Sequence, residues 1–182
     1  NSLIIAVAVG ALTLFVATGA AFAISRLKVR GGRAVMNLAL FTYFIPAAFL
    51  AVPMYKTMGN YGLLNSQWSL ILAMTTIAAP YAIWVLKQAS DKLPYELDEA
   101  ARIDGASPLQ LFRLVYLPLM LPSIVAGWML AFTLSLDDLV IASFTTGPGS
   151  ATLPIRIYSE VRLGVKPEIN AICTLVIAAV TL

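Results

Sequence analysis

The chain has 182 residues, 60% hydrophobic and only 12% charged, with a formal net charge of +3. A soluble domain carries about 25% charged residues, so a chain this apolar would expose large apolar patches in water, and a lipid bilayer removes that problem. The basic residues are spread among loops rather than gathered in one stripe, which argues against nucleic acid as a partner.

The inventory excludes several chemistries. There is no histidine, and the single cysteine, Cys173, sits in an apolar run. No intrachain disulfide, Cys/His metal site or Ser-His-Asp triad can be built from these residues. No G-x-x-x-x-G-K-[ST] stretch occurs, so the chain has no P-loop for ATP. No catalytic residue and no metal ligand is assigned.

About 20 apolar residues span a bilayer core as a helix. The first such segment is 3–25, rich in Ala, Val and Gly and free of charge. It lacks a basic n-region and a small-residue cleavage site, so it reads as a span and not as a signal peptide. Gly10, Ala11, Thr18, Gly19 and Ala23 would let neighbouring backbones approach it closely. The second span is 34–55, with Pro46 and Pro53 inside it. The third is 68–86 and contains Pro80. Each proline removes a helix hydrogen bond and is expected to kink its span. The fourth span is 119–143, and a fifth begins near Ile169. Asn1 lies at the edge of one apolar run and Leu182 inside another. The sequence thus reads as one membrane domain, 1–182, lacking an N-terminal part and the end of its last span.

Arg26, Lys28, Arg30 and Arg33 crowd the first loop, and Lys87, Lys92, Arg102 and Arg113 lie in the third. The other loops hold Lys56 on one turn and Arg156, Arg162 and Lys166 on the last. By the positive-inside rule the first and third loops are cytoplasmic. The start of the chain, the turn 56–67 and the stretch 144–168 are then external.

The third loop, 88–118, is the long charged stretch of the chain and reads as two short helices. Pro94 suits the first helical position of the first one. Glu96, Asp98 and Glu99 sit near its positive end, where carboxylates are favoured. Gly105 fits the left-handed position that ends a helix. Ser107 begins the second helix, with Pro108 just inside it and Gln110 completing a capping box. Pro118 and Pro122 bracket the start of the next span. Ala100, Ala101 and Gly105 leave one side of this turn without large side chains, so another protein's surface can come close. Glu99, Arg102 and Asp104 can pair at the rim, and a short helix laid in a partner's groove is a known recognition mode.

Farther on, Asp137 and Asp138 fall within the fourth span, roughly 22–24 Å along it from Pro122. Carboxylates at that depth are costly and face a cavity or a partner. Two readings fit them: a helix cap or partner of a nearby Arg, or a negative site for a cationic ligand.

The spacing Glu99-Ala100-Ala101, Gly105 and Val115-Tyr116-Leu117-Pro118 resembles the cytoplasmic EAA loop of the permease subunits of bacterial binding-protein-dependent ABC importers. The resemblance covers nearly the whole chain. It implies an all-α membrane protein, a multi-span helical bundle of the ABC importer permease (MetI-like) type with a cytoplasmic two-helix coupling loop. It implies that Glu99, Ala100, Ala101, Arg102, Asp104, Gly105, Leu117 and Pro118 contact an ATPase. No cofactor would be bound by this chain, since ATP-Mg would sit on partner ATPase subunits. The implied partners are an ATPase dimer, a second permease subunit, an external or periplasmic substrate-binding protein and the bacterial inner membrane. When ATP closes the ATPase dimer, its groove would drag the loop and rock the spans between inward-open and outward-open states.

Residues 131–171, with Ser-Leu-Asp-Asp-Leu-Val-Ile-Ala-Ser-Phe-Thr-Thr-Gly-Pro-Gly, Thr-Leu-Pro-Ile and Pro-Glu-Ile-Asn-Ala, resemble the putrescine/spermidine permeases. A flexible polycation needs carboxylates and aromatic faces, which makes Asp137 and Asp138, with Phe144, Tyr158 and Glu160, the expected substrate path. Residues 59–118, with Gly-Leu-Leu-Asn and Pro80-Tyr81-Ala82-Ile83-Trp84, are more similar to maltose-type sugar permeases. Intramembrane charge bears on the ligand directly, so polyamine is the expectation and sugar the alternative. Broken helices and intramembrane carboxylates also suit an ion-coupled secondary transporter, which differs in its energy source.

Overall fold

The uncharged run Ser2–Ser25 forms α1, 24 residues long. The structure is a computed structural model describing residues 1–147, 151–163, 170, 171, 173–175, 177 and 178, and every regular element among them is helical. The expected span beginning near Ile169 lies largely outside the described residues, as does Lys166.

Next come α2 (Gly32–Phe41) and a 3-10 turn (Thr42–Phe44), then α3 (Ala47–Asn60) and α4 (Gln67–Asp91). After them follow α5 (Glu96–Ile103), α6 (Pro108–Gln110), a π-helical segment (Leu111–Tyr116) and α7 (Leu117–Asp137). Two short helices complete the order, α8 (Val140–Thr145) and α9 (Leu153–Leu163). Three stretches are long and apolar enough to cross a membrane: Ser2–Ser25, Gln67–Asp91 and Pro108–Asp137.

α1 and α4 run parallel. At one end Gln67 Nε2 donates to Asn1 Oδ1 at 3.0 Å, and at the other the Ser25 and Ser90 hydroxyls lie 2.6 Å apart. α7 returns in the opposite sense, with Tyr116 5.0 Å from Phe22 near the C-terminal end of α1. Leu153, at the start of α9, donates its N–H to Ser2 Oγ at 2.6 Å near the other end. Two apolar clusters fill the space between these helices. The outer one joins Ile5, Val9, Leu70, Met74 and Ile141. The inner one joins Leu14, Phe22, Leu86, Leu111, Tyr116 and Met120.

The structure corrects three expectations. The span expected at 34–55 is broken, because α2 with its 3-10 turn and α3 meet at 108°. Pro46 is the reason: it has no N–H, and its ring pushes Ile45 out of the helical region, to φ −89° and ψ 116°. Pro53 and Pro80, by contrast, stay inside helices.

The second loop helix and the following span are not separate elements, since Pro108 to Asp137 is one continuous helix. The wider π turns lie directly before Pro118, whose ring would clash with the carbonyl of Leu114 in an ideal α-helix. The same helix stops at Asp137, where Asp138 turns extended (ψ 119°), so a single span 119–143 does not form. The helix α9 lies in the stretch 144–168.

The small residues of α1 divide by face. Gly10 and Thr18 are buried, whereas Ala11 and Gly19 are exposed. A Cβ at Gly10 would sit 2.6 Å from Trp128 Nε1, while at Gly19 it would meet nothing within 4 Å. Gly127 of α7 approaches Leu14 of α1 in the same way, at 3.3 Å. Large and small residues thus alternate across the α1–α7 contact. Gly10→Leu is expected to destabilise the bundle by about 1–3 kcal/mol through overpacking, seen as earlier thermal aggregation in detergent. Gly19→Ala should leave that transition in place.

Candidate functional site

The turn around Gly105 is built almost wholly by local hydrogen bonding. α5 starts after Tyr95, with Glu96, Asp98 and Glu99 in its first turn and Arg102 in its last, matching the helix dipole at both ends. Pro94 lies outside this helix, one residue before its N-cap, rather than at its first position. Gly105 ends it with φ +81°. The Ala106 N–H reaches the Ala101 carbonyl at 2.9 Å and the Gly105 N–H reaches that of Arg102 at 3.0 Å, the two bonds of a Schellman motif. The next helix opens at once. Ser107 Oγ accepts the Gln110 N–H at 3.3 Å, and Gln110 Oε1 accepts the Ser107 N–H at 2.8 Å. This is the expected capping box, in both directions. A C-cap and an N-cap back to back leave the turn little freedom.

Glu99, Ala100, Arg102, Asp104 and Gly105 all lie on the exposed side of this turn. Ala101 does not: it is half-buried against the inner apolar cluster. Leu117 and Pro118 sit at the start of α7, beyond the π segment and apart from the turn. The exposed side is also not free of large side chains. Ile103 is 86% exposed and Leu109 65% exposed, one on each side of Gly105. Two exposed apolar side chains beside charged ones form a surface suited to a partner's pocket. The sequence pattern hid them, because an Ile and a Leu in a membrane protein attract no notice.

Beneath the turn is a cluster that spacing could not reveal. Asp98 is the one buried residue of α5, and its Oδ2 accepts from Arg26 Nη1 at 2.9 Å. The Arg26 side chain is 1% exposed. Its Nη2 donates to the carbonyls of Ser90 at 2.8 Å and Leu93 at 3.0 Å. The Tyr95 ring lies 4.6 Å from the guanidinium carbon. The Tyr95 hydroxyl donates to the Ser25 carbonyl at 3.4 Å. Arg26, expected only as a loop charge, is a buried junction.

The two adjacent carboxylates take different roles. Asp138 Oδ2 accepts the Ala142 N–H at 2.8 Å and so caps α8. Asp137 is exposed, and among the described residues no cation pairs with it. Both line a cavity of about 360 Å³ with Tyr43, Ala47, Met74, Ile77 and Leu134. Phe144 and Tyr158 are exposed and Glu160 is half-buried, and none of the three lines that cavity. Tyr158 instead packs under Arg162, 4.9 Å from ring centroid to guanidinium.

An aromatic row adjoins the cavity that the sequence reading did not assign. Tyr43 donates to the Ile77 carbonyl at 2.8 Å, beside Pro80, and its ring lies 5.9 Å from Tyr81. Tyr81 in turn stacks with Trp84 at 5.9 Å. The Tyr81 and Trp84 spacing of three on a helix was a usable signal, but Tyr43 joins them only because Pro46 breaks the preceding segment. No group of three or more metal-ligating side chains occurs among the described residues.

Residues 5–182 match the family described as binding-protein-dependent transport system inner membrane component. The chain is 50% identical over 109 residues to the putrescine transport system permease protein PotI of Escherichia coli (strain K12), covering 60% of this chain and 39% of that protein. It is 36% identical over 177 residues to the spermidine/putrescine transport system permease protein PotC of Haemophilus influenzae, covering 97% of this chain and 69% of that protein. It is 33% identical over 162 residues to the trehalose transport system permease protein SugB of Mycobacterium tuberculosis, covering 86% and 59% respectively. The fold matches a solved bacterial ABC transporter involved in the import of the acidic polysaccharide alginate, with a TM-score of 0.74 at 23% identity, over 96% of this chain and 62% of that one.

Proposed function

The chain belongs to the binding-protein-dependent transport system inner membrane component family, and from that premise we propose that it is the permease subunit of an ATP-driven ABC importer in a bacterial inner membrane. It forms half of a translocation pathway, pairs with a second permease subunit and receives its substrate from an external binding protein. It carries out no chemistry itself; ATP-Mg is bound and hydrolysed by two partner ATPase subunits. The proposed substrates are polyamine-like cations.

The observation that carries the coupling role is the doubly capped turn around Gly105, with Glu99, Ala100, Arg102, Ile103 and Asp104 directed outward. Ile103 and Leu109 supply apolar anchors, and the charges supply a rim that fixes register. A turn this constrained transmits displacement instead of absorbing it. Leu117 and Pro118 belong to the stem of the lever rather than to its contact surface.

The test is a single cysteine at Ile103 in a chain with Cys173→Ser, crosslinked in native membranes. Trapping of a nucleotide-hydrolysing subunit is the expected result. A crosslink formed only by reagents confined to the outer face would overturn the proposal. Uptake that survives ATP depletion but collapses with an uncoupler would move the protein to the ion-coupled class.

Support for a cationic substrate comes from Asp137, an exposed carboxylate in a cavity that adjoins the aromatic row. The similarity to SugB favours a second reading, in which the same permease role serves a sugar.

A further inference from the structure

We propose that Arg26 is a positioning residue that locks the coupling turn to the ends of α1 and α4, so that movement of the turn is passed to the membrane spans. The inference rests on the permease reading above and adds to it a residue outside the coupling loop.

The argument starts from the helix ends. The last carbonyls of α4 lack partners within the helix and carry its negative end. Arg26 Nη2 binds the carbonyl of Ser90 there, and that of Leu93 just beyond. The first turn of α5 is the positive end of another helix, and Asp98 stands in it. The ion pair therefore bridges the junction of α4 and α5, with each charge at the helix end that favours it. Arg26 itself follows directly on α1. One guanidinium thus ties three elements, and the Ser25–Ser90 hydroxyl contact doubles the tie between α1 and α4.

A buried ion pair is a poor device for stability alone, because desolvation cancels much of the attraction. Its geometric specificity is the more useful property. The planar fork of Arg meets an acid and two carbonyls in fixed directions, which the compact ammonium of Lys cannot reproduce. With the fork in place, α5 can pivot only together with α1 and α4. Without it, the turn could follow the ATPase and pull on α7, with which it is continuous, while α1 and α4 stayed still.

The test uses the full chain in its reconstituted complex with ATPase subunits and binding protein, reading ATP hydrolysis and uptake together. Three variants are compared: Arg26→Lys, the exchange Arg26→Asp with Asp98→Arg, and the apolar pair Arg26→Met with Asp98→Leu. The apolar pair removes both charges at once and leaves no uncompensated one, so it keeps the test readable if single changes unfold the chain. In the apolar pair, ATPase subunits should still co-purify and hydrolyse ATP, while substrate carried per ATP falls by roughly 5- to 150-fold, the usual range of a coupling constant. Arg26→Lys should lose part of that ratio, and the exchange should recover part of what the apolar pair loses. A stable apolar-pair complex with an unchanged uptake-to-hydrolysis ratio would overturn the proposal. Failure of the unmodified complex to show ATP-dependent uptake would overturn the permease reading instead, and this inference with it.

Discussion

Gly105→Asp is expected to abolish uptake while the protein still reaches the membrane in normal amount. The reasoning separates folding from function. Gly105 holds φ +81°, yet a Cβ built there meets nothing within 4 Å. Aspartate is among the residues that tolerate the left-handed region, so the backbone strain is about 1 kcal/mol and the turn should survive. What changes is the outer surface, where a carboxylate now lies between Ile103 and Leu109. If that surface docks in an ATPase groove, an unpaired buried charge costs about 2–5 kcal/mol, a loss of association of roughly 30-fold or more. Glu99→Lys should act in the same direction without any backbone strain, since Glu99 is exposed. The measurement is labelled-substrate uptake beside quantification of the chain in the membrane fraction. Normal uptake, with undiminished co-purification of an ATPase subunit in both variants, would remove the coupling role from this turn.

The contrast between the turn and the junction beneath it explains what could be read in advance. The caps at Gly105 and at Ser107 with Gln110 involve partners no more than five residues apart, so composition and spacing suffice to place them. Arg26 and Asp98 lie 72 residues apart in the sequence. Nothing local links them, although the charge of both loops placed them on the same expected side. The prolines mark a different limit. Pro46 breaks its segment while Pro53 and Pro80 do not. All three lack an N–H, so the difference lies in what surrounds them. At Pro46 the extended backbone at Ile45 completes a bend that lets Tyr43 reach the Ile77 carbonyl beside Pro80. Such a contact, between residues 34 apart, is a tertiary property. The two aspartates were expected inside a continuous helix. Their actual position, at the end of α7 and before α8, depends on a side chain competing successfully for the backbone of the next helix.

Those aspartates give the sharpest test of substrate class. Asp137→Asn should lower the uptake efficiency for putrescine by roughly 10- to 150-fold, the equivalent of losing one charged hydrogen bond of about 1.5–3 kcal/mol. Asp138→Asn should have a smaller effect, because an amide oxygen can still accept the Ala142 N–H and hold α8 in place. Asp138→Ala removes that cap at a cost of about 1 kcal/mol, and should lower thermal stability more than substrate preference. The order of effects on putrescine uptake therefore distinguishes a carboxylate that meets a cation from one that only ends a helix. Tyr81→Leu provides an independent arm. Its ring links Tyr43 to Trp84 along α4, and a cation passing over aromatic faces gains about 0.5–2 kcal/mol from each. A neutral disaccharide lacks the positive charge that pairs with Asp137 and with the ring quadrupoles. If the unmodified complex carries disaccharide and not putrescine, and Asp137→Asn leaves that uptake unchanged, the sugar reading replaces the cationic one while the coupling mechanism stands.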